Sequence, residues 1–287
     1  ASSLMYFTIM RDGTDLATAG HVIGEVGPAS STTTEIQAAT FTFMDIPGGT
    51  PGAKVYVVYG KNVGTLSISN VVRQVSILVI PSTMATVQNT RYTVGLITTD
   101  QETLIPGMSA IITPNTNTDM VLMTATFSVN PNSANTVLKV SVFRNNGRLD
   151  NGASQYVSFY QAGANRQITI FYLDNPGSGG QTTYTLMGTM PQGIGYTVCN
   201  GGTDIAHINL VSLPVANTAR AMVSTSLTVT STAWMSIGLA VTVRPVATTD
   251  TVLVTVSVNF QPSTAACQGA FTIFRDSTNL GNSLVGL

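Results

Sequence analysis

The sequence predicts an all-β protein made of tandem jelly-roll sandwiches. Three observations carry that prediction. Short runs alternate apolar and polar residues between turn clusters, no stretch of about ten residues or more has helical periodicity, and the chain matches itself at a period near 131 residues. With 287 residues it holds a little over two such units, starting and ending mid-repeat.

The elements, in chain order, are these. Ile9-Met10-Arg11-Asp12-Gly13-Thr14-Asp15-Leu16 reads as a strand end and its turn. It returns at an offset of 133 as Val142-Phe143-Arg144-Asn145-Asn146-Gly147-Arg148-Leu149, and Phe274-Arg275-Asp276 follows Phe143-Arg144-Asn145 at 131. Phe43-Met44-Asp45-Ile46-Pro47-Gly48 returns at 129 as Tyr172-Leu173-Asp174-Asn175-Pro176-Gly177, and Tyr56 and Gly60 then match Tyr184 and Gly188. Residues 76–81 match residues 209–214 in the register that aligns Pro81 with Pro214. Thr118-Asp119-Met120-Val121-Leu122-Met123-Thr124 returns at 131 as Thr249-Asp250-Thr251-Val252-Leu253-Val254-Thr255.

Residues 120–129 and 251–260 alternate as half-buried strands do, and their β-branched content suits a pleated surface. Turn clusters punctuate the runs at residues 115–117, 130–132, 145–147, 176–180 and 201–202. About eight short strands per unit with long polar loops predict a sandwich or jelly roll. Residues 1–81 carry the later half of a unit, 82–214 a complete unit and 215–287 the earlier half. The end halves pair either within one chain, which leaves the duplicated element around Arg11 and Arg275 as a surplus strand, or with the halves of a neighbouring chain. A fragment of a longer repeat protein is the third explanation of the phase.

Composition narrows the function. Charged residues make up 9% of the chain, against about 25% in an ordinary soluble domain. Twelve Lys and Arg are balanced by thirteen Asp and Glu, so no nucleic-acid-binding surface is expected. The surface left is Thr, Ser, Asn, Gln and Gly, which suits a virion or extracellular setting. Apolar runs such as residues 75–80 fall far short of a membrane span, and the start shows no leader pattern. Cys199 and Cys267 read either as two buried thiols or as one disulfide.

No catalytic, metal or cofactor site is expected. His21 and His207 sit at unrelated phases without ligands at metal spacing. There is no Gly-x-Ser-x-Gly elbow, and Gly177-Ser178-Gly179-Gly180 lacks the Lys and helix of a phosphate loop. Only three glutamates (Glu25, Glu35 and Glu102) are available for paired-carboxylate chemistry. The recurring charges Arg11, Arg144 and Arg275, with Asp45, Asp174, Asp119 and Asp250, read as structural anchors. The Asp is expected to cap the Asp-x-Pro-Gly turn through its own backbone and the Arg to fasten a strand end; receptor contact is the functional reading. Residues 115–119 read as a turn, with Ca²⁺ binding through oxygen ligands as the rival. Trp234, the single tryptophan, is a candidate interface residue or a sugar-stacking platform.

A strand ending in Phe-Arg-Asp/Asn, a strand ending in Tyr-x-Asp-x-Pro-Gly and a following Tyr-x-x-x-Gly resemble jelly-roll modules of the C1q and tumour-necrosis-factor type. Such modules occur in virion fibres, spikes and capsids and in spore-surface glycoproteins. The resemblance implies ten-stranded jelly rolls, commonly packed as homotrimers, serving as shells, spikes or receptor-binding heads. The phase of this chain departs from that pattern. The expectation is a non-enzymatic structural protein of a virion surface, a homo-oligomer (trimer or head-to-tail polymer) meeting other virion proteins or a surface receptor. Its rivals are a secreted filament subunit polymerising by strand complementation and a carbohydrate- or receptor-binding head.

Overall fold

A computed structural model describes residues 4–16, 24–26, 44–45, 56–63, 80, 83–91, 95–97, 101–134, 136–149, 155–159, 166–190, 196–198, 206–221, 235–243, 252–256, 273–276 and 278–279. It is all-β, with every strand pair antiparallel and no α-helix among the described residues. The strands are β1 (Leu4–Arg11), β2 (Thr14–Asp15), β3 (Gly24–Val26), β4 (Tyr56–Val63), β5 (Thr86–Arg91), β6 (Gly95–Ile97), β7 (Thr103–Ile112), β8 (Met120–Pro131) and β9 (Thr136–Arg144). They continue with β10 (Gly147–Arg148), β11 (Gln155–Phe159), β12 (Arg166–Asp174), β13 (Thr182–Thr189), β14 (Tyr196–Val198), β15 (Ala206–Leu213), β16 (Phe274–Arg275) and β17 (Thr278–Asn279). Among the described residues a 3-10 turn covers Val215–Asn217.

The chain divides into two units. The larger contains a sandwich of two sheets. One runs β10-β9-β13-β7, with β11 also on β9; the other runs β5-β15-β8-β14-β6, with β12 also on β8. Period-two alternation makes the sandwich. On β8, Val121, Met123, Ala125, Phe127 and Val129 all point one way and are fully buried. They join Ile168 and Ile170 of β12 and Ile208 and Leu210 of β15. Ile105 and Met108 of β7, Leu138 and Val140 of β9, and Tyr184 and Leu186 of β13 complete the same core from the other sheet. Burying each large apolar side chain contributes about 1.5–3 kcal/mol. On β7 the alternation slips between Ile105 and Met108, where Gly107 takes φ 80° and the pairing with β13 shifts register. A positive φ favours glycine, and the bulge returns Met108, Ala110 and Ile112 to the core side.

The same unit holds a four-stranded sheet in which β1 pairs with β2, β3 and β4. Its registers repeat those of the sandwich. Arg11 lies opposite Tyr56 on β4, as Arg144 lies opposite Tyr184 on β13. Tyr6 lies opposite Glu25 on β3, as Lys139 lies opposite Tyr156 on β11. The Leu16 amide donates to the Ile9 carbonyl and the Leu149 amide to the Val142 carbonyl, both at 2.9 Å. The turns between are left-handed alike: Asp12 and Gly13 at φ 49° and 82°, Asn145 and Asn146 at 47° and 67°. Positive φ at both central positions suits the tight hairpin turn that matches strand twist. The smaller unit holds the β16–β17 hairpin, with Asp276 at φ 55° and Arg275 opposite Thr278.

The strand expected over 251–260 is described only at residues 252–256. These residues are exposed and lie in no ladder. Alternation makes a strand only beside a neighbour that takes its backbone hydrogen bonds. Their counterpart β8 lies between β12 and β15, whereas among the described residues no strand flanks 252–256.

Candidate functional site

Arg144 ends β9 and Asp174 ends β12, on different sheets, and the two strand ends meet. The Arg144 guanidinium donates from Nη1 to Asp174 Oδ2 at 2.8 Å and to the Asn175 carbonyl at 2.8 Å. The hydroxyl of buried Tyr184 donates to the same carboxylate oxygen at 2.7 Å. Burial and the adjacent Asp174 carboxylate push the Tyr184 phenol well above its ordinary value, because both oppose a phenolate there. Arg11 and Asp45 make the same ion pair, with Nη1 at 2.6 Å from both carboxylate oxygens.

Arg11 and Arg144 each tie the end of their strand to an aspartate, and residues 46–50, the turn after Asp45, lie outside the described residues. The turn at Asp174-Asn175-Pro176-Gly177 is ordered by Asn175, whose Oδ1 accepts from the Gly177 amide at 3.0 Å. The Asp is drawn to the guanidinium, which offers a stronger, charge-assisted bond. Arg11 with Asp45 and Arg144 with Asp174 thus each form one clasp rather than two independent devices. Arg275 lies exposed on β16 with no acidic partner among the described residues.

Asp119 closes the loop before β8. It accepts from the Thr116 hydroxyl at 2.6 Å and from the Ser212 hydroxyl at 2.7 Å. The Thr116 hydrogen bond, with Ser212 and backbone amides behind it, holds the Asp119 carboxyl below its usual range against the opposing effect of burial. Asn115 ties the same loop to the Thr83 carbonyl at 2.7 Å. The loop is therefore ordered by protein donors, and no group of three or more acidic, His or Cys side chains converges among the described residues. Glu102 accepts from Ser141 at 2.9 Å and pairs with Arg148 at 2.8 Å.

A buried polar layer on the six-stranded sheet is absent from the sequence expectations. His207, fully buried, faces Thr126 on β8 and Thr90 on β5. Beside it Thr126 and Thr169 share a 3.2 Å hydrogen bond and Asn209 donates to the Thr124 hydroxyl at 3.2 Å. The polar half of the β8 alternation was the signal for this layer.

The most unusual surface is apolar. Residues 235–243 and 252–256 lie one period after β7 and β8, and Gly238 takes φ 79° where Gly107 takes 80°. Met108 and Ala110 are 0% and 5% exposed, but their counterparts Leu239 and Val241 are 36% and 55% exposed. Val121, Met123 and Ala125 are fully buried, but Val252, Val254 and Val256 are 45%, 47% and 52% exposed. Trp234, Asp250, Cys199 and Cys267 lie outside the described residues.

No protein-family model matches the chain, and no curated protein matches it. Among solved structures it is similar to the C-terminal domain of EclA, a sugar-binding protein, at 11% identity and TM-score 0.24, over 46% of this chain and 82% of that one. It is similar to the CBM22-1 xylan-binding domain of Xyn10C from Paenibacillus barcinonensis at 15% identity and TM-score 0.20, over 45% and 86%. It is also similar to a mutant VP2 protein of infectious bursal disease virus at 12% identity and TM-score 0.18, over 74% of this chain and 62% of VP2. At these TM-scores none of the three carries an argument about this chain.

Proposed function

We propose that the chain is a non-enzymatic structural protein of a virion surface or a comparable extracellular assembly. In this reading its units are jelly rolls of about 131 residues, of the C1q and tumour-necrosis-factor type. They associate as a homo-oligomer, trimeric or head-to-tail, and present a polar, charge-poor exterior to other virion proteins or to a receptor. The observation that supports the reading is the repeated clasp. Arg11–Asp45 and Arg144–Asp174 turn the recurring charges of a charge-poor chain onto each other. Groups spent on joining strand ends are not free for acid–base chemistry or for gripping a charged ligand. The mass of the purified protein by light scattering, with electron micrographs of the same sample, tests it. An ordered closed particle or an open fibre is expected, and a well-folded monomer would overturn the reading.

A further inference from the structure

We propose that residues 235–243 and 252–256 of one copy dock onto a second copy, with residues 235–243 adding as a strand to the edge of β4 that is unpaired among the described residues. The inference rests on the assembly reading above and names its contact. Three observations carry it.

The segment is core-type sequence without its cover. Leu239, Val241, Val252, Val254 and Val256 occupy the phases at which β7 and β8 are buried, yet all five are exposed. The bulge that re-phases β7 is already built into the segment, since Gly238 matches Gly107 in φ. Residues 235–243 and 252–256 carry no charge, and an exposed, uncharged stretch with strand alternation is a template for strand addition.

The receiving edge is defined by the repeated registers. β13 pairs on one side with β9 and on the other with β7. Its counterpart β4 pairs with β1 in the matching register and, among the described residues, with nothing on its second edge. Ala110 lies opposite Tyr184 and Ser109 opposite Thr185. Carried over by position, Val241 comes opposite Tyr56 and Ala240 opposite Val57. Counterparts of the strands that cover β8 also fall in residues 1–81: Asp45 matches Asp174 at the end of β12, and residues 76–81 match 209–214 of the β15 segment.

The partner is a second copy. The single chain contains both the edge and the segment, and among the described residues it leaves both unpaired. Donation to a neighbour satisfies both and repeats head to tail.

Two double variants test the contact, Tyr56→Cys with Val241→Cys and Val57→Cys with Ala240→Cys, each with Cys199→Ser and Cys267→Ser. Adjacent antiparallel pairs alternate between Cα separations of about 5.5 and 4.5 Å, so one of the two suits a disulfide. After oxidation of the assembled protein, a denaturing gel without reductant is expected to show a ladder at multiples of 30.0 kDa that reductant collapses. A cross-linked single chain would overturn the inference in favour of self-closure. An assembly with no cross-link in either variant would overturn it while leaving the assembly reading intact, and a monomer with no cross-link would overturn both. Val241→Lys provides a second measurement that does not depend on cysteine chemistry. Its side chain is exposed in the single chain, so the melting of the sandwich should stay unchanged while assembly falls at least tenfold. Unchanged assembly would contradict the proposal.

Discussion

Gly107 and Gly238 stand one period apart and hold the same left-handed backbone, φ 80° and 79°. At Gly107 the conformation makes the bulge that keeps Met108, Ala110 and Ile112 in the core. At Gly238 the same bend sits in a segment with no strand beside it among the described residues. The local device is therefore written into the chain twice, and among the described residues the burial it serves is seen at Gly107 and not at Gly238.

Gly107→Ala is expected to destabilise the sandwich by about 1–2 kcal/mol, because an L side chain resists positive φ. Gly238→Ala should leave the sandwich melt unchanged and weaken assembly instead. Denaturant melts of both variants, paired with sedimentation of the native protein, check the contrast.

Removing the Arg144 side chain leaves the Asp174 carboxylate, 7% exposed, with Tyr184 as its remaining side-chain donor. Arg144→Ala should cost about 1–3 kcal/mol, below the range for a fully buried pair because the guanidinium is partly solvated. A double-mutant cycle with Asp174→Asn should return a coupling of similar size; additive effects would mean that the pair does not act as a clasp.

Tyr184 gives the sandwich an alkaline limit. Its phenol is raised in the folded state, so the fold binds that proton more tightly than the unfolded chain does. The contribution is complete below the ordinary phenol pKa of about 10 and is lost as pH rises above it. Denaturant midpoints should fall between pH 9 and 11 more steeply in the parent than in Tyr184→Phe.

Asp119 has the opposite sign. Its folded carboxyl is held low, so its contribution is complete above the ordinary carboxyl value of 3.8 and lost as pH falls through the lower folded value. Asp119→Asn should cost about 1–3 kcal/mol at pH 6, through hydrogen bonds to a charged acceptor, and much less at pH 2. Equal costs at both values would contradict this assignment.

The core was legible where alternation and turn chemistry agree. Residues 120–129 read as a strand and form most of β8, and the Asn145-Asn146-Gly147 turn sits at the β9–β10 hairpin. The repeated Arg and Asp were visible as anchors, but their pairing was not. Arg144 and Asp174 lie on different sheets, and only the fold brings their strand ends together. Residues 251–260 carry the alternation of a strand, yet 252–256 form none, because a pattern names the face to be buried and not the partner that buries it. The polar layer around His207 escaped for the same reason: its Thr and Asn residues look like a solvent face until the structure shows them covered.

Amide hydrogen exchange on the assembled protein tests the central claim most directly. Residues 121–125 provide the internal standard, since they are held in the core and its ladders. If the chain is completed by its neighbour, residues 235–243 and 252–256 will exchange nearly as slowly as that standard. Exchange at the rate of an exposed segment in the intact assembly would contradict the account.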